Sequence, residues 1–298
     1  MSKKNKFLIF RTDRIGDFLT TAILIKSIKR NNPNSHITVI ASQNNFTYIN
    51  SFHTVDEVIL LKSSIFNRLK ILLKLRKFFF DHVIVHDNKN RSILISFFLK
   101  KHNKILLENH SQKNHIDIIK FILSSLNYNF NETDLNILDN RKNFFSNLKF
   151  HRYLVLHFDE KWIKNSYIKS YKNIEPTEYQ LITFVNKLHD LIKLPIVVTT
   201  GIKTPKLLGE VIKNINHNNI SFLENLNFFE IETIISKSAF LISCHGFVSH
   251  VAAANNIKQV DIIDRSYNYE RWNKHFRNYI SIYREPFDHL IEKIFNKI

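Results

Sequence analysis

The sequence predicts an α/β protein made of two successive doubly wound domains, each with a parallel sheet. Three observations predict it: strand-like runs that are apolar and β-branched throughout, helical stretches between almost every pair, and one interruption of that alternation at residues 127–149. A strand without polar alternation is buried on both faces, so helices must cover both sides of its sheet, and that arrangement belongs to parallel sheets. The 298 residues suit two domains of about 150 residues each. An apolar fraction of 44% excludes general disorder.

The elements follow in order. Residues 7–10 form the first buried strand, then a loop leads to a helix over about 17–30. Asn31-Asn32-Pro33-Asn34 ends that helix, because Pro cannot continue it and Asn tolerates the cap conformation. Strands at 37–41, 57–61, 82–86 and 104–107 alternate with helices at 45–51, 64–79, 91–100 and 115–126. Asn- and Asp-rich sequence at 127–149 reads as a linker closing the first domain, 1–149. The second domain, 150–298, has strands at 153–157, 196–199, 220–223, 239–243 and 259–263. Its helices lie at 177–193, 206–215, 228–236, 248–255 and 286–298. Tyr267, Tyr269 and Trp272 are expected to pack the terminal helix.

The single cysteine, Cys244, excludes an intrachain disulfide and a cysteine metal cage. The apolar run at 7–10 is too short for a signal peptide, and no stretch approaches the roughly 20 apolar residues that cross a bilayer. A cytoplasmic location is expected. The charge of +17 reads either as a lysine excess on solvated faces or as attraction for an anionic partner, and on its own does not choose among nucleic acid, an acidic membrane and phosphorylated substrates. No nucleic-acid-binding module or interleaved basic and aromatic motif is present, so nucleic acid is not the expected partner. With only four glycines, each is expected to mark a backbone position where a side chain is costly.

The first strand runs into Arg11-Thr12-Asp13-Arg14-Ile15-Gly16-Asp17-Phe18-Leu19-Thr20-Thr21. In a parallel sheet this loop faces the ligand crevice. Gly16 is expected to let it turn tightly, and Asp17 sits at the start of the helix, where the positive end of the dipole favours its ionised form. An ionised carboxylate there either accepts a proton from an attacking hydroxyl or only caps the helix. The loop lacks the glycines of a dinucleotide fingerprint and is not a P-loop.

In the second domain, Lys161-Trp162 follows a strand edge and places a mobile ammonium there. Thr199-Thr200-Gly201 follows the next strand; an ordinary turn is the alternative reading. Leu241-Ile242-Ser243-Cys244-His245-Gly246-Phe247-Val248-Ser249-His250-Val251-Ala252-Ala253-Ala254 holds three of the six alanines. Its small residues allow close approach to the sheet, and its N–H groups suit phosphate. The alternative for His250 is a buried, hydrogen-bonded histidine. His245 and His250 lack further ligands at metal spacing, so no metal is expected.

These segments resemble the family-9 glycosyltransferases, which include the heptosyltransferases of lipopolysaccharide core synthesis. The likeness covers nearly the full chain in organisation and is specific at residues 7–21 and 241–254. It implies a GT-B-type fold of two Rossmann-like domains facing an interdomain cleft. It also implies transfer of a sugar, heptose in the best-known case, from a nucleoside diphosphate sugar to a glycolipid or saccharide hydroxyl, with inversion. The sugar nucleotide is a substrate, and no cofactor is implied.

By resemblance Asp17 is the general base. Lys161, Thr199, Thr200, Gly201, His245, Gly246 and His250 meet the sugar nucleotide. Arg11, Arg14, Gly16, Asn88 and Arg91 lie on the acceptor side, the latter two in the turn His86-Asp87-Asn88-Lys89-Asn90-Arg91-Ser92. Asp264-Arg265-Ser266-Tyr267 are placed to reach the donor sugar. The family pattern Asp-Ser/Thr-Gly-x-x-His is altered: His245 stands in the place of the Asp, and Gly246 lies four residues before His250 instead of three. A catalytically degenerate sugar-nucleotide-binding protein is therefore the second reading.

Lys62, Arg68, Lys70, Lys74, Arg76 and Lys77 have no acidic residue among them. A helical projection puts Ile65, Leu69, Leu72, Leu73 and Phe79 on one face, expected to cover the sheet with a solvated basic edge. The alternative is contact with an anionic membrane or glycolipid, for which Ile71 and Phe78, off that face, speak.

Overall fold

The structure, a computed structural model, describes residues 5–106, 113–139, 141–145, 148–162, 176–215, 217–265 and 268–298. Leu107, Ser266 and Tyr267 lie outside the described residues. The chain divides into two compact units, Met1–Ile137 and Leu138–Ile298. Within the stretch read as a linker, Asp134 is fully buried and pairs with Arg30 at 2.9 Å, while Arg141 pairs with Glu232 at 2.8 Å. Each end of that stretch is thus anchored to its own unit.

In the first unit, β1 (Lys6–Arg11), β2 (His36–Ala41), β3 (Glu57–Leu60), β4 (Phe79–Val85) and β5 (Lys100–Leu106) form one parallel sheet in the order β3-β2-β1-β4-β5. Phe7, Leu8, Ile9 and Phe10 are all fully buried, each contributing roughly 1.5–3 kcal/mol. Helices α1 (Ile15–Asn31), α2 (Phe46–Asn50), α3 (Ile65–Leu75), α4 (Asn90–Phe97) and α5 (His115–Ser125) connect and follow the strands.

Three expectations are corrected here. Helix α3 stops at Leu75 because Phe79 already belongs to β4, and β5 begins at Lys100, earlier than the apolar pattern showed. The face of α3 also differs. Ile71 and Leu75, one turn apart, are in the core, whereas Ile65, Leu69 and Leu73 point to solvent.

In the second unit, β6 (Leu154–His157), β7 (Ile196–Thr199), β8 (Ile220–Leu223), β9 (Phe240–Cys244), β10 (Lys258–Ile263) and β11 (Tyr279–Tyr283) are parallel in the order β11-β10-β9-β6-β7-β8. Helices α6 (Glu178–Ile192), α7 (Lys206–Asn214), α8 (Phe228–Ser236), α9 (Phe247–Ala254), α10 (Glu270–Asn273) and α11 (Phe287–Phe295) accompany them. Thr177 and Gln180 form a reciprocal cap on α6, and Asn227 and Glu230 do the same on α8. Strand β11, absent from the sequence reading, extends the sheet beside β10, with Tyr279 opposite Gln259.

Both sheets reverse their direction of growth once. In the first, β1 leads outward to β2 and β3, while β4 and β5 build the other side; in the second, β6 leads to β7 and β8, while β9, β10 and β11 build the other side. The carboxyl ends of β1 and β4, and of β6 and β9, are thus the two switch points, where neighbouring loops part and leave a crevice.

Candidate nucleotide-sugar site

Four of the motifs singled out in the sequence fall at these two switch points, while Thr199-Thr200-Gly201 lies at the end of β7 and the stretch from Asp264 follows β10. In the first unit Arg11 closes β1, and its guanidinium turns inward: the residue is 1% exposed. Its Nε donates to Thr21 Oγ1 at 2.6 Å and its Nη1 to Asp13 Oδ2 at 3.0 Å. His86, following β4, shares a 2.8 Å hydrogen bond with the same Thr21 hydroxyl. Burial first, and then the nearby Arg11 charge, hold the His86 imidazole well below its usual range. Arg11 therefore organises the loop from within the fold.

Asp87, which the sequence reading passed over, fastens the two loops together. Its Oδ2 accepts from Thr12 N at 3.1 Å, Thr12 Oγ1 at 2.5 Å and Ser92 Oγ at 2.8 Å, and its Oδ1 accepts from Lys89 N at 3.2 Å. Arg91 adds a bond from Nη2 to Thr12 Oγ1 at 2.8 Å. Asn88 turns the chain with φ 48°, a left-handed conformation that Asn tolerates. Around this turn Arg68 of α3 joins Asn88, Lys89, Asn90 and Arg91 to line an open basic pocket.

Helix α1 begins at Ile15, so Gly16 and Asp17 belong to its first turn. Gly16 is therefore not the residue that turns the loop, and among the described residues no glycine lies in the left-handed region. Asp17 Oδ2 accepts from Arg14 N at 3.0 Å, which caps the helix, while Arg14 itself is exposed. The first-turn position also aligns the carboxylate with the positive end of the helix.

Asp13 is a carboxylate the sequence reading did not single out. Its Oδ2 meets Arg11, but its enclosed Oδ1 has no hydrogen-bond partner among the described residues. Burial pushes its carboxyl up to about 6; Arg11 opposes the shift, and Asp17 and Asp87 add to it.

In the second unit the chain leaves β6 at His157 and makes a short turn, Glu160–Trp162. Trp162 pins this turn: its Nε1 donates to His157 O at 2.8 Å and its ring lies 5.0 Å from that of Phe158. Arg284 holds the turn from outside, donating to the carbonyls of Lys161 and Trp162. Lys161 is thereby aimed at the end of β9, where its Nζ donates to His245 O at 2.8 Å. A Cβ at Gly246 would lie 2.1 Å from that nitrogen. Gly246 has φ 174°, ordinary extended backbone, so space for the ammonium is the reason for glycine here. At Gly201 and Gly209 a Cβ would meet nothing within 4 Å, so the glycine expectation fails sterically at those two positions.

His245 is half-buried, and its Nδ1 hydrogen bonds to Asp261 Oδ2 at 2.5 Å. A carboxylate only accepts, so Nδ1 carries the hydrogen and Nε2 is the remaining ring nitrogen. Asp261 is fully buried on β10 and also accepts from Ser249 Oγ at 2.8 Å and Tyr279 OH at 3.1 Å. Burial, with the Asp261 charge second, pushes the Tyr279 phenol up. A carboxylate thus reaches the His245 turn from the adjoining strand. His250 is 6% exposed, with its ring 5.6 Å from that of His245 and 5.3 Å from that of Phe276.

Thr199 and Thr200 are fully buried and act on the strand ends. Thr199 Oγ1 shares a 2.9 Å bond with His157 Nδ1, and Thr200 Oγ1 accepts from Asn225 N at 3.0 Å. Arg265 pairs with Glu285 at 2.9 Å. Among the described residues no group of three His, Cys, Asp or Glu is arranged to hold a metal ion, and no helix is long and apolar enough to cross a membrane.

The structure therefore brings Lys161, His245, Gly246 and His250 to one switch point, and Asp17, Asn88 and Arg91 to the other. No family model matches the sequence, and no curated protein does. Solved structures do match. A glycosyl transferase family 9 structure from Veillonella parvula shares 11% identity at a TM-score of 0.68, covering 98% of this chain and 92% of its own. E. coli heptosyltransferase WaaC with ADP shares 12% identity at 0.72, covering 98% of this chain and 99% of its own. The UDP-GlcNAc 2-epimerase of Methanocaldococcus jannaschii is more distant, at 11% identity and 0.57, covering 98% and 92%. The chain has the two-unit α/β fold of the family-9 glycosyltransferase and heptosyltransferase structures.

Proposed function

We propose that this chain is a glycosyltransferase that moves a sugar, heptose being the first candidate, from a nucleoside diphosphate sugar to a hydroxyl of an anionic glycolipid or saccharide acceptor. The observation that carries this reading is the Lys161–Gly246 contact: a cation at the mouth of β6 and β9, beside the N-terminus of α9, with glycine leaving the space clear. Partial positive charge from the free helix N–H groups and the full charge of Lys161 suit a diphosphate. The ADP in the WaaC structure is a ligand of that class.

In the proposed reaction the acceptor oxygen attacks the anomeric carbon as the bond to the diphosphate oxygen breaks. The electron pair leaves with the diphosphate, where Lys161 and the amides near Gly246 meet the developing charge. The hydroxyl proton passes to Asp17, and the single displacement inverts the anomeric centre. Basic residues around Asn88, with Arg91 among them, favour an anionic acceptor. The reaction as proposed uses no metal and no cofactor, and takes place in the cytoplasm at the inner face of the cell membrane.

Asp17→Asn tests the assignment, since it keeps the size of the side chain and an oxygen for the Arg14 N–H. Turnover should fall by a factor on the order of 10²–10⁴ with donor affinity nearly unchanged. Retained turnover removes Asp17 from the role. Donor binding without transfer by the unaltered chain, across a range of acceptors, supports the degenerate binding protein instead.

A further inference from the structure

The helices covering one face of the first sheet carry an apolar surface that the fold does not use. Ile71 and Leu75 of α3 and Ile95 of α4 share one core, so both helices lie on the same face of the sheet and their outer sides look the same way. On the outer side of α3, Ile65, Phe66, Leu69 and Leu73 are 69%, 85%, 52% and 62% exposed. On α4 and the residue after it, Leu94, Phe97 and Phe98 are also exposed. The strongly amphipathic α3 thus presents its apolar stripe to solvent. Large apolar residues gathered in this way mark an interaction site.

The charge around this surface indicates the occupant. Lys70, Arg76 and Lys77 are exposed and have no ion-pair partner among the described residues; Lys74 pairs with Glu57 at 3.5 Å. No acidic residue occurs between Glu57 and Asp81. Lys104 lies 3.2 Å over the Phe97 ring, adding a cation beside the second helix. An apolar stripe flanked by cations is the pattern of a helix lying in the interface of an anionic bilayer, with rings and aliphatic chains among the acyl groups and ammonium groups among the headgroups.

We propose that the outer face of α3 and α4 docks on an anionic membrane surface. Arg68, on the inner flank of α3, lines the basic pocket with Asn88–Arg91, so docking places that pocket next to the headgroup layer. The inference extends the membrane location proposed above but stands apart from glycosyl transfer, because its test reads binding and not turnover.

The full chain is to be sedimented with vesicles of phosphatidylcholine containing 30 mol% phosphatidylglycerol, and with phosphatidylcholine alone. The proposal expects pelleting with the anionic vesicles at low salt, weakened by added salt, and much less with the neutral ones. Each surface cation contributes about fivefold to partitioning, so a Lys70→Gln, Arg76→Gln, Lys77→Gln variant should bind roughly 100-fold more weakly. Phe66→Ser with Leu73→Ser should lower binding by at least about tenfold. All five side chains are exposed, and matching circular dichroism and melting temperatures check that the variants fold. No pelleting with anionic vesicles at low salt overturns the proposal, as does equal pelleting with neutral vesicles or by either variant. A concentration-dependent dimer that Phe66→Ser with Leu73→Ser abolishes overturns it as well, by assigning the face to a second copy.

Discussion

Replacing Gly246 by Ala separates a role in folding from a role in binding. The new Cβ would lie 2.1 Å from Lys161 Nζ, so the ammonium must retreat by more than about 1 Å to reach ordinary contact distance. Its 2.8 Å bond to His245 O is then lost. Lys161 is 26% exposed, so water replaces that bond, and φ 174° suits any residue; the stability loss should be about 1 kcal/mol or less. Binding should respond more. With an effective dielectric constant near 20, moving a unit charge from about 3 to about 4 Å from a phosphate weakens their attraction by about 1.4 kcal/mol, or roughly tenfold in Kd. Isothermal titration with ADP, GDP and UDP, alongside urea unfolding, measures both quantities. In a Lys161→Ala background, Gly246→Ala should have no further effect on affinity. Unchanged nucleotide affinity in the single variant, or full additivity in the double, would refute the assignment of Lys161 to the diphosphate.

Three further outcomes are expected. Asp134→Ala should destabilise the chain by about 3 kcal/mol in urea unfolding, because it strips Arg30, Ser27 and the Asn131 N–H of a fully buried carboxylate; a loss under 1 kcal/mol contradicts this. His157 is held down to about 4 by burial, so the folded state stays neutral there while the unfolded state takes up a proton near 6.5. Its contribution, at most about 3 kcal/mol, is present above pH 6.5 and is lost as the pH falls towards 4. His157→Asn should flatten that acid-side slope, and an unchanged slope counts against it. Because Asp13 lies near Asp17 and is pushed up to about 6, kcat/KM should rise with pH through that region, and Asp13→Asn should displace the rise; a profile identical to the unaltered chain argues that Asp13 is a bystander.

The parts of this account that were legible in the sequence are those with local causes. Continuous apolar strands such as residues 7–10 and 196–199 declare a buried parallel sheet, and Pro33 beside Asn32 marks the end of α1. Lys161 and Gly246 stood out as single residues, but only the fold shows that one exists to make room for the other. Asp87 and Asp261 were not legible because their partners are distant in sequence: Asp87 meets Thr12, and Asp261 meets His245 from another strand. Asp13 meets Arg11 only two residues away, but its enclosure by the fold was not legible locally. The face of α3 was misread for a related reason. Periodicity locates the apolar stripe of a helix but not the side that meets the sheet, and here Ile71 and Leu75, outside the main stripe, fill the core. In β11 the alternation Tyr279-Ile280-Ser281-Ile282-Tyr283 follows edge exposure, with only Ile282 buried, and so lacks the continuous apolar run that marked its neighbours.

Thermal unfolding in the presence of a panel of ADP-, GDP-, UDP- and TDP-linked sugars tests the proposed donor most directly. One donor class should raise the melting temperature, with a stabilisation of about 2.7 kcal/mol at a hundred times its Kd, and the rise should shrink sharply in Lys161→Ala. A melting temperature that no sugar nucleotide moves, or an equal rise in Lys161→Ala, would contradict a diphosphate site at the mouth of β6 and β9.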